Sequence, residues 1–277
     1  MRRISRDTIT RDTTLCMSLS GRPSNLGTRF HNHLYEELGL DYLYKAFTTT
    51  DLPSAIAGIR ALGIRGCGVS MPFKEACLEH VDVLHPSAAA IASVNTIVNE
   101  SGVLHAHNTD YEAVVTLLTD RGVDPATPAV VAGSGGMAKA VVAALRACGF
   151  RAVTVLARNE TTGRALARQY GFEWHPAPDG QRTGLLVNAT PIGMAGGPGT
   201  EACPFDLDVV RAADTVFDVV AMPADTPLVR AARAAGTAVI TGDEVSALQA
   251  AAQFVLYTGV TPTPDQIRRA SEFSRRT

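Results

Sequence analysis

The sequence has no long apolar run and no excess of either charge, and each absence excludes a class of protein. No segment approaches the roughly 20 consecutive apolar residues that a membrane-spanning helix needs, so no membrane partner is expected. The polar start also lacks the apolar core of a signal peptide, which favours a cytoplasmic location. A formal net charge of −2 provides no basic face for nucleic acid.

Cysteine and lysine are also scarce. The five cysteines are odd in number and never spaced as C-x-x-C, which indicates neither a disulfide framework nor a zinc site. No His, Cys or carboxylate cluster is apparent, so no metal is expected. Of 25 basic residues only Lys45, Lys74 and Lys139 are lysine. A lysine ammonium can be tuned to exchange its proton whereas arginine keeps its own, although codon bias would explain the same count.

The length and the order of apolar segments predict the fold class. A chain of 277 residues is long enough for two domains. Short apolar segments alternate with segments of helical periodicity, which predicts an α/β protein with two domains and parallel sheets. The first domain, residues 1–107, is predicted to be a mainly parallel α/β domain that binds substrate. Residues 243–277 are predicted to fold back and complete it. The same pattern predicts a helix from about Lys74 to Leu84.

A glycine-rich turn in the second half indicates a nucleotide site. A predicted strand, residues 129–132, leads into Gly133, Ser134, Gly135, Gly136, Met137 and Ala138, which open a helix. Such glycines let the backbone approach a pyrophosphate, and the helix N-terminus supplies amide donors. Arg158 ends the next strand, where an NAD enzyme usually has an acid, so NADP is expected. Alternatively, Arg158 is an ordinary solvated charge and Glu160 reaches the ribose. Residues 108–242 are therefore predicted to be a Rossmann NADP-binding domain.

Three segments of the first half place small polar side chains at strand ends, the usual position for a ligand group in an α/β sheet. They are Val69 to Lys74, Ser93 to Thr96 and Asn108 to Asp110. Any one alone is typical of a turn or a helix cap, and Asp110 in particular suits a cap. Together the three segments indicate a site for a polyhydroxy acid.

With these segments the chain resembles the shikimate dehydrogenases over nearly its whole length. The family pattern N-V-T-x-P-x-K appears as Gly68 to Lys74, A-V-N-T as Ser93 to Thr96, and N-T-D as Asn108 to Asp110. Further matches are Asn188 to Met194, Asp218 to Val220 before Pro223, and Gln249 five residues before Phe254. The resemblance implies that Lys74 and Asp110 are the catalytic pair and that Asn95 and Gln249 touch substrate. It also implies that Thr190, Met194 and Val219 belong to the cofactor side.

The chain departs from the family pattern where the substrate is held. Asn25 and Gly27 replace a serine pair that binds the substrate carboxylate in the family, and Gly68 and Ser70 replace Asn and Thr. Ala221 stands where a tyrosine is usual. The chain is thus most similar to the shikimate dehydrogenase-like branch. The expected substrate-binding residues are Asn25, Gly27, Ser70, Asn95 and Gln249.

The residues and the resemblance together predict an NADP-dependent dehydrogenase of the shikimate dehydrogenase type. It moves a hydride between nicotinamide and a ring hydroxyl or ketone of shikimate or a related cyclic hydroxy acid, as in aromatic amino acid biosynthesis, and is weak on shikimate itself. The alternatives are a quinate or aminoshikimate-type dehydrogenase and a non-catalytic NADP-binding regulatory protein. The presence of both Lys74 and Asp110 argues against the non-catalytic alternative. A monomer or homodimer is expected.

Overall fold

The computed structural model describes residues 9–177 and 183–276, which divide into two compact units. The first unit ends at Thr109 and resumes at Ala247, and the second unit spans Asp110–Ser246. The sequence places the domain boundaries at 107/108 and 242/243.

The first unit is built on a mixed six-stranded sheet. Its strands are β1 (Thr14–Leu19), β2 (Tyr42–Phe47), β3 (Gly66–Val69), β4 (Val83–Leu84), β5 (Thr96–Glu100) and β6 (Val103–His107), in the spatial order β2-β1-β3-β5-β6-β4. Three of the pairings are parallel, and β5 is antiparallel to both β3 and β6. The helices around this sheet are α1 (Leu26–Glu37), α2 (Leu52–Ala61) and α3 (Pro86–Ala89).

Two C-terminal helices complete the core of the first unit. They are α9 (Gly242–Thr258), which enters this unit at Ala247, and α10 (Pro264–Ser274). Phe254 and Tyr257 of α9 pack in one buried cluster with Tyr35 of α1 and Tyr44 of β2. Burial of these large aromatic side chains supplies much of the apolar area that holds the C-terminal segment on the sheet.

The second unit is a doubly wound α/β domain. Its parallel strands are β7 (Ala129–Ala132), β8 (Val153–Leu156), β9 (Glu173–His175), β10 (Leu185–Asn188), β11 (Thr215–Asp218) and β12 (Ala238–Thr241). The helices between them are α4 (Thr109–Asp120), α5 (Gly136–Ala147), α6 (Glu160–Tyr170), α7 (Leu207–Ala212) and α8 (Pro227–Ala235). The order β12-β11-β10-β7-β8-β9 is that of the Rossmann fold, with the turn after β7 at the point where the strand order reverses. The predicted fold class is confirmed.

The structure differs from the sequence prediction between Lys74 and Leu84. Instead of one helix, a short 3₁₀ helix (Ala76–His80) is followed by β4. β4 pairs with β6, and the Asp82 carboxylate accepts from the Leu104 N–H at 2.7 Å. Pairing of this edge strand with β6 therefore overrides the local helical pattern.

Neither a membrane span nor a metal centre is found within residues 9–177 and 183–276. None of the helices there is long and apolar enough to cross a bilayer. In the same ranges, no three His, Cys, Asp or Glu side chains are grouped so that they would hold a metal ion.

Candidate active site

The Lys74 segment follows directly after β3. The exposed Ser70 is anchored through its backbone N–H, which donates to the Leu19 carbonyl at 3.0 Å. Four residues later, the half-buried Lys74 accepts through its carbonyl from the Val94 N–H at 2.9 Å. The backbone of Lys74 is therefore tied to the segment that carries Asn95.

Asn95 lies at the start of β5 in a buried network of polar side chains. Its Oδ1 accepts from the Thr109 N–H at 2.8 Å and from the Thr96 hydroxyl at 2.8 Å. Its Nδ2 donates to Thr109 Oγ1 at 3.0 Å. A backbone N–H can only donate, so its bond to Oδ1 fixes which end of the Asn95 amide is oxygen. One of the two Nδ2 hydrogens is therefore used by Thr109.

The same network fixes the segment that leads to Asp110. Asn108 is buried, and its Nδ2 donates to the Ser93 carbonyl at 2.9 Å. Its backbone N–H donates to Ser87 Oγ at 3.1 Å. α4 begins at Thr109, so Asp110 lies inside the first helical turn and not at the residue before the helix, where an N-cap stands. A carboxylate in the first turn also favours the positive end of the helix dipole, so this position suits a structural role as well as a ligand-binding role.

Asn25 and Gly27 lie around the start of α1. Asn25 is the exposed N-cap residue, but its side chain makes no capping hydrogen bond to the described helix. A Cβ built on Gly27 would lie 3.6 Å from the hydroxyl of Tyr44, an ordinary contact that leaves room for a small side chain. The nearby Arg29 guanidinium donates to the Arg276 carbonyl. The Arg29 side chain is therefore bonded to the C-terminal segment of the first unit.

One polar residue of this region escaped the sequence prediction. Gln249 is half-buried on α9, whereas Gln253, one turn later, is buried beside Asn95 and Thr96. Residues four apart lie on the same helix face, so the helical period alone put Gln253 next to a residue already implicated. Only the structure shows that it reaches the network, because that contact joins residues 158 positions apart.

In the second unit, the turn after β7 has the features of a phosphate-binding loop. Gly133 has φ +121°, and a Cβ there would lie 2.7 Å from the Ala189 carbonyl oxygen, so only glycine fits. A Cβ at Gly135 or Gly136 would meet nothing within 4 Å, so the N-terminus of α5 is open to a ligand. Ala138 is fully buried against the unit's core. These residues fit a nucleotide pyrophosphate, for which the helix N-terminus provides amide donors.

Arg158 lies exposed just after β8, close in sequence to the helix start that faces this loop. Glu160 pairs with Arg164 at 2.7 Å, and the Arg164 guanidinium stacks on Trp174 at 4.3 Å. Thr162 Oγ1 lies 2.8 Å from Ser134 Oγ, which links α6 to the glycine-rich turn. Glu160 Oε1 is therefore already bonded to Arg164, whereas the alternative has the Glu160 carboxylate reach the ribose.

The loops after β10 and β11 carry the remaining cofactor candidates. The Asn188 amide binds Thr190 Oγ1 at 2.6 Å and the buried Asp218 carboxylate at 3.0 Å. Asp218 also accepts from the Thr226 hydroxyl at 2.6 Å, and burial raises the pKa of its carboxyl. The Val219 N–H donates to the Asn188 carbonyl at 3.0 Å. This network fixes both loops beside the Gly133 turn, while the Met194 side chain is 43% exposed.

The structure therefore gathers the predicted residues into two sets, one in each unit. Ser70, Lys74 and Asn95 belong to the first unit, which ends at Thr109, and Asp110 is the first residue of the second unit. The glycine-rich turn and the other cofactor candidates, namely Arg158, Thr190, Met194 and Val219, belong to the second unit.

Comparisons with known proteins identify the family of the chain. The family model described as shikimate dehydrogenase substrate binding domain matches residues 24–97. A shikimate dehydrogenase-like protein of Haemophilus influenzae is 52% identical over 267 residues, covering 96% of this chain and 98% of that protein.

Solved structures show the same relationship. Shikimate 5-dehydrogenase of Thermus thermophilus, in complex with NADP(H) and shikimate, has a TM-score of 0.84 at 32% identity over 94% of this chain and 99% of its own. Quinate dehydrogenase of Corynebacterium glutamicum, in complex with NAD, has a TM-score of 0.83 at 26% identity, covering 94% of this chain and 98% of its own. The chain belongs to the shikimate dehydrogenase family.

Proposed function

We propose that this protein is an NADP-dependent dehydrogenase that interconverts a ring hydroxyl and a ring ketone of a cyclic hydroxy acid related to shikimate. The observation that carries the proposal is that hydrogen bonds tie the Lys74 backbone to the segment of Asn95, and Asn95 to the residue before Asp110. Lys74 is tied to Val94, Asn95 to Thr109, and Asp110 follows directly. An ammonium, an amide donor and a carboxylate are the groups needed to bind a hydroxyl and move its proton.

The proposed roles follow from the chemistry of each side chain. Bound NADP would supply or accept the hydride. Lys74 hydrogen-bonds the oxygen on the reacting carbon and exchanges its proton, which stabilises the charge that develops there. Asp110 accepts from substrate hydroxyls and orients the Lys74 ammonium. Asn95 donates its second Nδ2 hydrogen to another ring oxygen, which fixes the orientation of the ring.

The first unit binds substrate through Asn25, Gly27, Ser70, Asn95 and Gln249, and the second binds NADP through the glycine-rich turn, Arg158, Thr190, Met194 and Val219. The protein acts in the cytoplasm. It works as a monomer or homodimer, which light scattering would test.

The function is tested by incubating the protein with NADP⁺ and a panel that includes shikimate, quinate and an aminoshikimate. Formation of NADPH with at least one of them is expected. Measurable NADP binding with no NADPH from any compound would favour the non-catalytic regulatory alternative. A clear preference for quinate would move the proposal to that substrate, which the likeness to a quinate dehydrogenase supports.

Shikimate itself is expected to be a poor substrate because of Asn25 and Gly27. A hydrogen bond to a carboxylate contributes about 1.5–3 kcal/mol, so the loss of one or two lowers kcat/KM by about 10- to 10⁴-fold. The double variant Asn25→Ser with Gly27→Ser should recover part of this loss, since the structure has room for a side chain at position 27. Steady-state kinetics of both proteins on shikimate are the measurement. An efficient parent that the double change leaves unaffected would contradict the prediction.

A further inference from the structure

Gln253 makes two hydrogen bonds in the interior of the first unit. Its side chain is 6% exposed, and its Nε2 donates to the Asn95 carbonyl at 3.1 Å and to Thr96 Oγ1 at 2.9 Å. Because a backbone carbonyl can only accept, the nitrogen of the Gln253 amide must be the atom that faces it. The direction of both bonds is therefore determined.

That direction passes through Thr96 to Asn95. Thr96 Oγ1 accepts from Gln253, and its own hydrogen is directed to Asn95 Oδ1 at 2.8 Å. Asn95 Oδ1 then receives donors from both Thr96 and the Thr109 backbone. With its oxygen occupied in this way, Asn95 faces a ligand only as a donor.

We infer that Gln253 is a positioning residue, which acts through Thr96 and the Asn95 backbone to aim the Asn95 amide at the substrate. This inference rests on the proposed function, because it assigns the second Nδ2 hydrogen of Asn95 to a substrate oxygen. The ligand group that suits a neutral donor here is a hydroxyl or carbonyl oxygen.

The backbone opposite Gln253 supports a dedicated position for its amide. A Cβ on Gly68 would lie 3.3 Å from Gln253 Nε2 and 2.8 Å from the Tyr44 hydroxyl. The first distance is tight and the second would force a shift, so a side chain at position 68 and the Gln253 amide compete for the same space. Gly68 thus leaves room for Gln253 to reach Asn95.

The test replaces Gln253 by Met, which has similar length and no donor, and by Glu, which is similar in size but accepts instead of donating. In both variants the KM for the hydroxy acid that the enzyme oxidises should rise about threefold to tenfold. This range corresponds to the loss of one neutral hydrogen bond. kcat should change less than KM, and the Kd for NADP should stay within twofold of the parent.

Asn99→Leu is the matched control. Asn99 is a buried amide residue of β5, and its side chain bonds to the Ile59 carbonyl and to the Gly102 N–H. Its loss should lower Tm without changing KM. Parent KM in both Gln253 variants, or the same KM increase in the Asn99 variant, would overturn the inference.

A readout without substrate separates this inference from the proposed function. If the parent turns over no compound in the panel, the proposed dehydrogenase function is rejected. The positioning of the Asn95 amide by Gln253 can still be tested. The side-chain amide protons of Asn95 should then shift and broaden in NMR spectra of Gln253→Met and stay unchanged in Asn99→Leu. Unchanged Asn95 amide signals in Gln253→Met would reject the positioning role by itself.

Discussion

At the scale of single residues, Lys74 differs from the neutral side chains of Asn95, Thr96 and Thr109 because it carries an ammonium group that can donate a proton. Lys74→Ala is expected to lower kcat by about 10²- to 10⁴-fold, the usual contribution of a positioned proton-transfer group. The Kd for NADP should change little, because the predicted cofactor residues belong to the second unit. Turnover kinetics and cofactor titration are the measurements.

Lys74→Arg separates the charge from the proton in the same experiment. Arginine keeps the positive charge but holds its proton far more tightly, so this variant should also be severely impaired. A normal kcat in Lys74→Ala would remove Lys74 from the proposed mechanism.

Arg158 is the residue expected to distinguish NADP from NAD. Its exposed guanidinium suits bidentate bonding to a 2′-phosphate, and Glu160 is already paired with Arg164. Arg158→Ala should weaken NADP binding about tenfold to a hundredfold and leave NAD binding nearly unchanged. Titration of NADP and NAD into the variant measures both affinities. The control is Arg168→Ala, which removes an exposed arginine of the last turn of α6. An unchanged ratio of the two affinities in Arg158→Ala would show that this residue does not bind the phosphate.

At the scale of the elements, the sequence predicted best the strands that are buried on both faces. The interior strands β7, β10 and β11 lie where short apolar segments predict strands. The two shortest edge strands, β4 and β9, were not predicted, because their position depends on a partner strand and not on an apolar run of their own. β9 has three residues and is placed by pairing with β8, while Trp174 packs on Gly163, where a Cβ would lie 2.3 Å from the ring. β4 is set by β6 in the same way.

The contact between β3 and α9 gives a prediction about two elements that pack together. Gly68→Asn should impair the enzyme because its side chain meets Tyr44 and Gln253, and Gln253→Ser should impair it by removing the amide. In the combined variant, an amide attached at position 68 occupies the space vacated by Gln253. The double variant should therefore retain more activity than the product of the single effects predicts.

A double-mutant cycle on kcat/KM measures this coupling. Residues in contact typically show coupling energies of about 0.5–3 kcal/mol, against about 0.3–0.5 kcal/mol of scatter for independent sites. Strict additivity would mean that positions 68 and 253 do not share this space.

At the scale of the whole molecule, motif spacing identified most of the candidate site but not its internal bonding. Lys74, Asn95 and Asp110 were recognisable because each lies in a short segment at a strand end. Gln253 was not, because its role depends on packing of the C-terminal helix against a sheet formed by the first hundred residues. The family pattern also does not explain Gly68, whereas its packing against Tyr44 and Gln253 does.

Stability of the first unit should depend on pH through His31, which is fully buried in its aromatic core. The His31 ring stacks on Tyr44 with centroids 4.4 Å apart and planes at 9°. The Gln253 amide faces the ring, but neither ring nitrogen reaches a partner with hydrogen-bond geometry among the described residues. Burial lowers the pKa of His31 from 6.5 to about 3.

Since the unfolded chain protonates His31 below pH 6.5 and the folded chain does not until about pH 3, acid favours unfolding over that interval. This one group should lower the free energy of unfolding by about 2 kcal/mol between pH 7 and pH 5. His31→Phe keeps the stacking, removes two unpartnered nitrogens and abolishes this proton uptake. Its free energy of unfolding should therefore exceed that of the parent, by more at pH 5 than at pH 7. Urea unfolding of both proteins at both pH values measures the difference, and His80→Asn, at a half-buried histidine, is the control. A stability difference between His31→Phe and the parent that does not increase from pH 7 to pH 5 would contradict the prediction.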